Sequence, residues 1–293
     1  MIKISLDQAY KPNLNKTTLF VIDCRVAVFK LLKLASIQDS LESLPYLVQY
    51  YFSSLPWDIY SDWPNPPQVL LVDDTRVKLD SGEYNYWREQ WIRDNRPELP
   101  VYKGNRGVSS EADRPDFYTE VLEAIYLYCN QTNIPIFKGA GFEADDWYGA
   151  IYRYANSNPD YVDKYQTFII SVDNDLSQLV SDKLDIIMYV SGSFKCPVSR
   201  LRSEYEVLRY YQEQHMVKLL KPTDVITYKM EYGDAGDNII PGSPREIIDL
   251  IDPPVKPEAY IVANIMDNYK TLSVGRPLNK LAALSALNKI NLH

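Results

Sequence analysis

The chain has 293 residues, of which 46% are hydrophobic and 24% are charged, and these proportions are typical of a globular protein. Three cysteines are too few and too scattered for a disulfide framework, and two histidines argue against zinc centres and most histidine-dependent catalytic triads. No apolar run approaches the roughly 18 residues of a membrane span, and the N-terminal residues lack the apolar stretch of a signal peptide. The composition therefore predicts a cytoplasmic protein. Its net charge of −8 argues, taken alone, against a nucleic-acid binder.

Short apolar runs alternate with helical patterns along the first two thirds of the chain. Three of these runs are near-continuously apolar, as strands buried on both faces of a parallel sheet are, and each ends in an aspartate. The predicted strands lie at residues 18–23, 69–73, 135–137, 167–173 and 184–190, and the predicted helices at about 26–35, 40–54, 116–130 and 143–156. This order predicts an α/β fold with a mostly parallel central sheet flanked by helices over residues 1–200, and a smaller helical domain over 201–293.

The segment 75–115 separates a predicted strand from a predicted helix. A connection of this length inside a compact domain is usually functional or disordered. Aromatic and basic residues are interleaved over residues 84–106, with few glycines before Gly104, so a helix is compatible with this stretch. Two interpretations remain open: the side chains pack on the domain, or they form an arch that stacks on single-stranded nucleic acid and contacts its phosphates.

Carboxylates follow three predicted strands and form two further clusters. In open α/β sheets the ligand crevice lies outside the carboxyl ends of the strands, which is where these acids are predicted to lie. The clusters follow glycine-containing turns in the motifs FEADD and GDAGDN. The nine candidates are Asp23, Asp73, Glu143, Asp145, Asp146, Asp173, Asp175, Asp234 and Asp237. Taken singly, each is typical of a helix cap or a turn, but capping does not explain the whole set in one chain.

Carboxylates that converge repel one another unless a cation lies between them. Oxygen ligands with almost no histidine or cysteine select Mg²⁺ or Mn²⁺ rather than Zn²⁺. Two such ions about 4 Å apart would stabilise the attacking and leaving oxygens of a phosphodiester. Setting the nine acids aside leaves the rest of the chain nearly neutral. The acidic composition is therefore compatible with an enzyme that acts on nucleic acid.

The motifs together carry a resemblance to a known family. In chain order they are VIDC, LLVDD, SGEYNYWRE, YKGNRG, FEADD, SVDNDLSQLV and GDAGDN. Over residues 18–242 this order resembles the flap endonuclease and 5′→3′ exonuclease superfamily, most closely its phage ribonuclease H branch. The resemblance implies a PIN/FEN-like nuclease fold with an active-site groove, two Mg²⁺ ions that Mn²⁺ replaces, an arch at about 75–115, and a reduced helix–hairpin–helix region near 233–252.

The resemblance also implies roles for individual residues. Asp23, Asp73, Asp145, Asp173 and Asp175 correspond to metal ligands or their immediate partners, and Glu143, Asp146, Asp234 and Asp237 to direct or water-mediated ligands. Lys103 corresponds to the lysine on the scissile phosphate. Its companion arginine is Arg88 by sequence context or Arg96 by spacing. Arg96, Tyr102 and Arg106 are further predicted contacts to nucleic acid.

By the same resemblance, the chain is a Mg²⁺-dependent 5′→3′ exonuclease and flap endonuclease that removes RNA primers and adjacent DNA from 5′ ends during replication. The products would carry 5′-phosphates. The implied partners are RNA/DNA and DNA/DNA duplexes with 5′ ends, flaps or forks, and replication proteins such as a single-stranded DNA-binding protein. A monomer without membrane contact is expected, in the host cytoplasm if a phage encodes it.

Two other functions are compatible with parts of the pattern. A phosphatase of the haloacid-dehalogenase type also uses an Asp-x-Asp motif, but that motif belongs on the first strand, where this chain has Asp23-Cys24-Arg25. A catalytically inactive DNA-binding relative would be expected to have lost some of the carboxylates, whereas each matched position is acidic.

Overall fold

The computed structural model describes residues 13, 15–38, 41–59, 67–74, 77–78, 84–102, 117–139, 141–190 and 200–245. The strands are β1 (Thr17–Asp23), β2 (Gln68–Val72), β3 (Val77–Lys78), β4 (Tyr84–Asn85), β5 (Ile136–Phe137), β6 (Tyr165–Ser171), β7 (Ile186–Val190) and β8 (Arg200–Arg202). The helices are α1 (Cys24–Gln38), α2 (Leu44–Ile59), α3 (Trp87–Asn95), α4 (Tyr118–Thr132), α5 (Ala144–Ser157), α6 (Pro159–Lys164), α7 (Glu204–His215) and α8 (Val225–Tyr232). Short 3₁₀ turns span Leu41–Ser43, Asn174–Leu179 and Pro222–Asp224.

A six-stranded sheet in the order β5-β2-β1-β6-β7-β8 forms the centre of the fold. All neighbouring pairs are parallel except β7 and β8, which are antiparallel. The apolar runs that the sequence predicts as buried strands are β1, β2 and β6, and β1 lies between the other two. The predicted α/β fold with a mostly parallel central sheet flanked by helices is confirmed.

Helices cover both faces of the sheet because the side chains of each strand alternate between the two faces. Leu19 and Val21 of β1 pack on one face with residues of α5, α6, α7 and α8. Phe20 and Ile22 pack on the other face with residues of α1, α2 and α4. Since β1, β2 and β6 are parallel, their carboxyl ends meet at one edge of the sheet, and the acids that follow them are brought to that edge.

Two parts of the chain differ from the sequence-based expectation. Strand β8 pairs with β7, so the sheet continues past the boundary predicted at residue 200, and the helical region begins with α7. The predicted arch contains the antiparallel pair of β3 and β4 followed by α3, while residues 103–116 lie outside the described residues. The predicted hairpin region is described only as far as residue 245. Within the described residues, we find no helix with the length and apolar character needed to span a membrane.

Candidate active site

Asp23 is the last residue of β1 and lies buried at the sheet edge. Its Oδ1 accepts a hydrogen bond of 2.8 Å from the backbone N–H of Arg25, and Ser171 Oγ lies 3.5 Å from Oδ2. The pKa of Asp23 is raised to about 7, mainly by burial and also by the nearby carboxylates of Asp74 and Asp173, while the charge of Arg25 lowers it. Three carboxylates from different segments therefore interact at this edge.

The register of β1 and β2 decides which aspartate of the LLVDD motif faces Asp23. Asp23 is paired with Val72, and side chains two residues apart on a strand point to the same face of the sheet. Asp74 is therefore directed to the face of Val72 and Asp23, whereas Asp73 is directed to the opposite face. The contacts agree: the phenol of Tyr126, on α4, donates a short hydrogen bond to Asp73. The sequence predicts Asp73 as the site residue, but the structure directs that side chain toward α4.

Asp74 makes three contacts at the sheet edge. Its Oδ1 accepts a hydrogen bond of 2.6 Å from the backbone N–H of Ala144, at the start of α5. Its Oδ2 forms an ion pair with Arg25 and accepts a hydrogen bond of 3.2 Å from the phenol of Tyr86. Asp74 was not among the predicted residues. The two consecutive aspartates were the available signal, but choosing between them requires the register of β2 against β1.

The first turn of α5 carries the acids of the FEADD motif in two different environments. Asp146 is fully buried; its Oδ2 accepts hydrogen bonds from the backbone N–H of Glu143 (2.9 Å) and from Trp87 Nε1 (2.7 Å). Burial raises the pKa of Asp146, although the positive charge of Arg88 opposes that shift. Asp145 lies near Asp23, because both carboxylates are close to the buried phenol of Tyr148. Burial raises the pKa of Tyr148, and these two carboxylates raise it further.

Arg88 is fully buried and joins α3 to the start of α5. Its two terminal nitrogens donate hydrogen bonds of 2.9 Å to Glu143 Oε2 and 2.9 Å to Asp146 Oδ1. The guanidinium also lies 4.4 Å from the centre of the Trp87 ring. This position differs from the predicted one, because a phosphate contact requires a guanidinium that substrate can reach. An arginine that directly follows two aromatic residues, as in Tyr86-Trp87-Arg88, is compatible with either role, so the sequence does not distinguish them.

A second carboxylate cluster lies beside the first. Oxygens of Asp175, Asp234 and Asp237 all lie within 4.8 Å of one another. The ammonium of Lys229, on α8, contacts Asp175 Oδ2 and lies 2.6 Å from Asp234 Oδ2. Although burial opposes ionisation of Asp234, the charge of Lys229 outweighs that effect and the pKa of Asp234 is lowered.

Asp173 connects the two clusters. Its Oδ1 accepts a hydrogen bond of 2.9 Å from the backbone N–H of Asp175, and its own backbone N–H donates 3.2 Å to Ser171 Oγ. Asp173 also raises the pKa of Asp23, so it acts on the first cluster while its backbone leads directly into the second. The structure therefore gathers predicted acids from four segments at one edge of the sheet.

The donor set fits divalent cations that prefer oxygen. The converging groups that can bind a metal are carboxylates, and the thiol of Cys24, which follows Asp23, is buried in the apolar core with residues of α1, α2 and α4. The residues that would hold the ions are Asp23, Asp74, Asp145, Asp173, Asp175, Asp234 and Asp237. Glu143 and Asp146, which the sequence analysis also assigned to the metals, are engaged with Arg88.

The remaining predicted contacts to nucleic acid lie apart from this cluster or outside the described residues. Arg96 directly follows α3, is partly exposed and forms an ion pair with Glu98. Tyr102 is buried in a small apolar cluster with Ile92, Ile226 and Ile239, so its ring joins α3 to α8 instead of facing solvent. Lys103 and Arg106 fall among the residues whose structure is not described.

Comparisons with known proteins give the family. The model of the "5′-3′ exonuclease, N-terminal resolvase-like domain" matches residues 74–218. DNA polymerase I of Borreliella burgdorferi is 29% identical over 175 residues, and that of Chloroflexus aurantiacus is 31% identical over 172 residues. These matches cover 60% and 59% of this chain but only 15% and 16% of the polymerases, so the chain corresponds to a small part of their length.

Among solved structures, a T5 D15 protein co-crystallised with metal ions is 19% identical, with a TM-score of 0.49; the match covers 94% of this chain and 96% of that one. The family model matches the region that contains Asp74, Arg88, the FEADD motif and the SVDNDLSQLV motif. Residues 74–218 belong to the family of the 5′-3′ exonuclease N-terminal resolvase-like domain.

Proposed function

We propose that this protein is a Mg²⁺-dependent nuclease that hydrolyses phosphodiester bonds near 5′ ends, as a 5′→3′ exonuclease and flap endonuclease. The observation that carries the proposal is the convergence of carboxylates from β1, β2, the start of α5 and the segment after β6 at one edge of the sheet. In a member of this superfamily, such a cluster supports metal-dependent phosphodiester chemistry.

The two carboxylate clusters would each hold one divalent ion. Asp23, Asp74 and Asp145 would bind the first, Asp175, Asp234 and Asp237 the second, and Asp173 lies between them. When bound, such ions lower the pKa of a coordinated water and stabilise negative charge on phosphoryl oxygens. We propose Mg²⁺ as the physiological ion and expect Mn²⁺ to replace it.

The protein's own residues would orient the site and neutralise phosphate. Asp74, held by Ala144 and Tyr86, fixes the start of α5 against the end of β2. Arg88 holds α3 on the same helix start. We assign phosphate contact to Lys103, with Arg96 or Arg106 as its companion, because the buried Arg88 already binds two carboxylates.

The proposed substrates are RNA/DNA and DNA/DNA duplexes with 5′ ends, flaps or forks, as in removal of RNA primers during replication by the phage ribonuclease H branch. Cleavage would leave 5′-phosphates. A single-stranded DNA-binding protein is the partner we would test first, with the nuclease acting as a monomer.

Cleavage of a 5′-labelled RNA/DNA primer duplex and a DNA flap, with Mg²⁺ and with EDTA, tests the proposal. We expect cleavage only with Mg²⁺ and its loss in Asp145→Asn and Asp173→Asn, which remove charge with little change in volume. Asp163→Asn, on the exposed side of α6, is the matched control and should cleave like wild type. Cleavage in EDTA, or near-normal cleavage by both site variants, would refute the metal-dependent assignment.

A further inference from the structure

Lys229 lies where the carboxylates of the second cluster converge. Its side chain is almost fully buried, and its ammonium contacts Asp175 and lies 2.6 Å from Asp234 Oδ2. Asp237 completes the cluster, with an oxygen within 4.8 Å of those of the other two. A buried lysine is costly unless its charge is balanced, and here two carboxylates contact its ammonium while a third lies beside them.

The chain brings Lys229 back onto acids that follow it closely in sequence. Helix α8 ends at Tyr232, and Gly233 turns the backbone with a φ of +73°. Asp234 and Ile239 then exchange two backbone hydrogen bonds of 2.8 Å, closing the loop that carries the GDAGDN acids. The turn therefore holds Asp234, at the start of the closed loop, next to Lys229 on the preceding helix.

A lysine ammonium and a divalent ion require the same oxygens here. A Mg²⁺ ion binds carboxylate oxygens at about 2.0–2.1 Å, closer than an ammonium approaches them. An ion shared by Asp175 and Asp234 would therefore lie within contact distance of the present Nζ position, where two cations repel. The flexible four-carbon side chain of lysine allows the ammonium to withdraw without a change in the backbone.

We propose that Lys229 is a tethered counter-ion of the second metal position, which competes with the divalent ion for Asp175 and Asp234 and is displaced when that ion binds. The inference rests on the proposed metal use of this site. Lys229 thus stabilises the carboxylate cluster in the metal-free protein and weakens the second ion's affinity. It is a positioning residue that acts through these carboxylates.

The test compares wild type with Lys229→Met, which keeps the length of the side chain and removes its charge. Lys218→Met, at an exposed lysine before α8, is the matched control. In EDTA we expect the Tm of Lys229→Met to fall by about 5 °C or more, because Asp175 and Asp234 lose the cation that they contact. Titration calorimetry with Mg²⁺ alone should show tighter binding by the variant, on the order of tenfold, with a larger rise in Tm than in wild type.

A second measurement uses wild type and does not depend on the variant folding. Acetic anhydride labelling with mass spectrometry should modify Lys229 faster in Mg²⁺ than in EDTA, while Lys218 is unchanged. Lys229→Arg, which retains the charge, should keep the metal-free Tm near that of wild type. Equal Mg²⁺ affinity in wild type and Lys229→Met, or Lys229 labelling that does not respond to Mg²⁺, would overturn the competition alone. If neither protein binds Mg²⁺, the proposed metal use of the site fails with it.

Discussion

At the scale of single residues, the adjacent Asp73 and Asp74 provide a matched pair. Asp74 faces Asp23 and the start of α5, whereas Asp73 accepts a hydrogen bond from Tyr126 on the opposite face of the sheet. We expect Asp74→Asn to lower cleavage by about 100-fold or more, because it removes charge where the metals would bind. Asp73→Asn should cleave much as wild type does and change the free energy of unfolding by about 1 kcal/mol.

Single-turnover cleavage and Mg²⁺ titration of both variants measure this difference. If Asp73→Asn loses cleavage activity while Asp74→Asn keeps it, β2 in solution is shifted by one residue relative to β1.

The raised pKa of Asp23 predicts how the metal-free protein responds to pH. The folded-state value of about 7 exceeds the ordinary 3.8, so between these values the folded chain holds a proton that the unfolded chain has released. The contribution of Asp23 to the free energy of unfolding is fully present below pH 3.8 and is lost as the pH rises through about 7. Stability in EDTA should therefore decline over this interval.

Asp23→Asn should flatten the decline and raise the Tm above that of wild type by a few degrees at about pH 8. Thermal melts in EDTA from about pH 5 to pH 8 measure it. A variant that follows the wild-type pH profile throughout would show that Asp23 is ionised normally in the folded protein.

Arg88 is predicted to contribute to stability by joining α3 to α5. Arg88→Ala leaves Glu143 and Asp146 buried without their shared cation, so we expect a loss of about 3–5 kcal/mol in the free energy of unfolding. Arg96→Ala removes a partly exposed partner of Glu98 and should remain within about 0.5 kcal/mol of wild type. Denaturant unfolding of the two variants gives both values; equal stability would contradict the buried ion pairs.

At the scale of elements, the turn after α8 depends on Gly233. A Cβ at this position would lie 2.6 Å from the carbonyl oxygen of Ile239, in addition to the cost of its positive φ. Gly242 has a similar φ of +81°, but a Cβ there would meet no atom within 4 Å, so Gly242→Ala controls for the backbone conformation. We expect Gly233→Ala to lose about 1–3 kcal/mol more than Gly242→Ala, measured by denaturant unfolding, and to bind Mg²⁺ more weakly because Asp234 shifts.

The sequence identified β1, β2 and β6 because they are short apolar runs followed by an acid, whereas the short strands β3, β4 and β8 carry no such signal. It also placed the acids after these three strands at one edge, which follows from parallel strands sharing a direction. The choice between Asp73 and Asp74 depends on the register of two strands separated along the chain by two helices, and local pattern contains no information on that register. The burial of Arg88 depends likewise on how α3 packs on α5, which the spacing of aromatic and basic residues leaves open.

At the scale of the whole molecule, the net charge of −8 includes the carboxylates of the site. In EDTA these carboxylates repel the phosphates of a nucleic acid, and bound divalent ions would remove that repulsion. We expect a DNA flap to bind more tightly in Ca²⁺ than in EDTA, and affinity in Ca²⁺ to weaken as salt rises because phosphate contacts release counterions. Fluorescence anisotropy in both conditions measures it. Affinity that is unaffected by Ca²⁺ and by salt would place the binding surface away from these carboxylates.

The central position of β1 has a consequence for how the protein is synthesised. Phe20 is paired with Phe168 of β6, and Asp23 faces a segment that continues to Asp175, so the ribosome must complete most of the domain before these neighbours exist. Pairing between such distant segments is slow, since a long loop must close before any contact forms. A nascent chain would therefore carry the strand of Asp23 without its partners until translation passes the GDAGDN motif, and nuclease activity should appear only after that point.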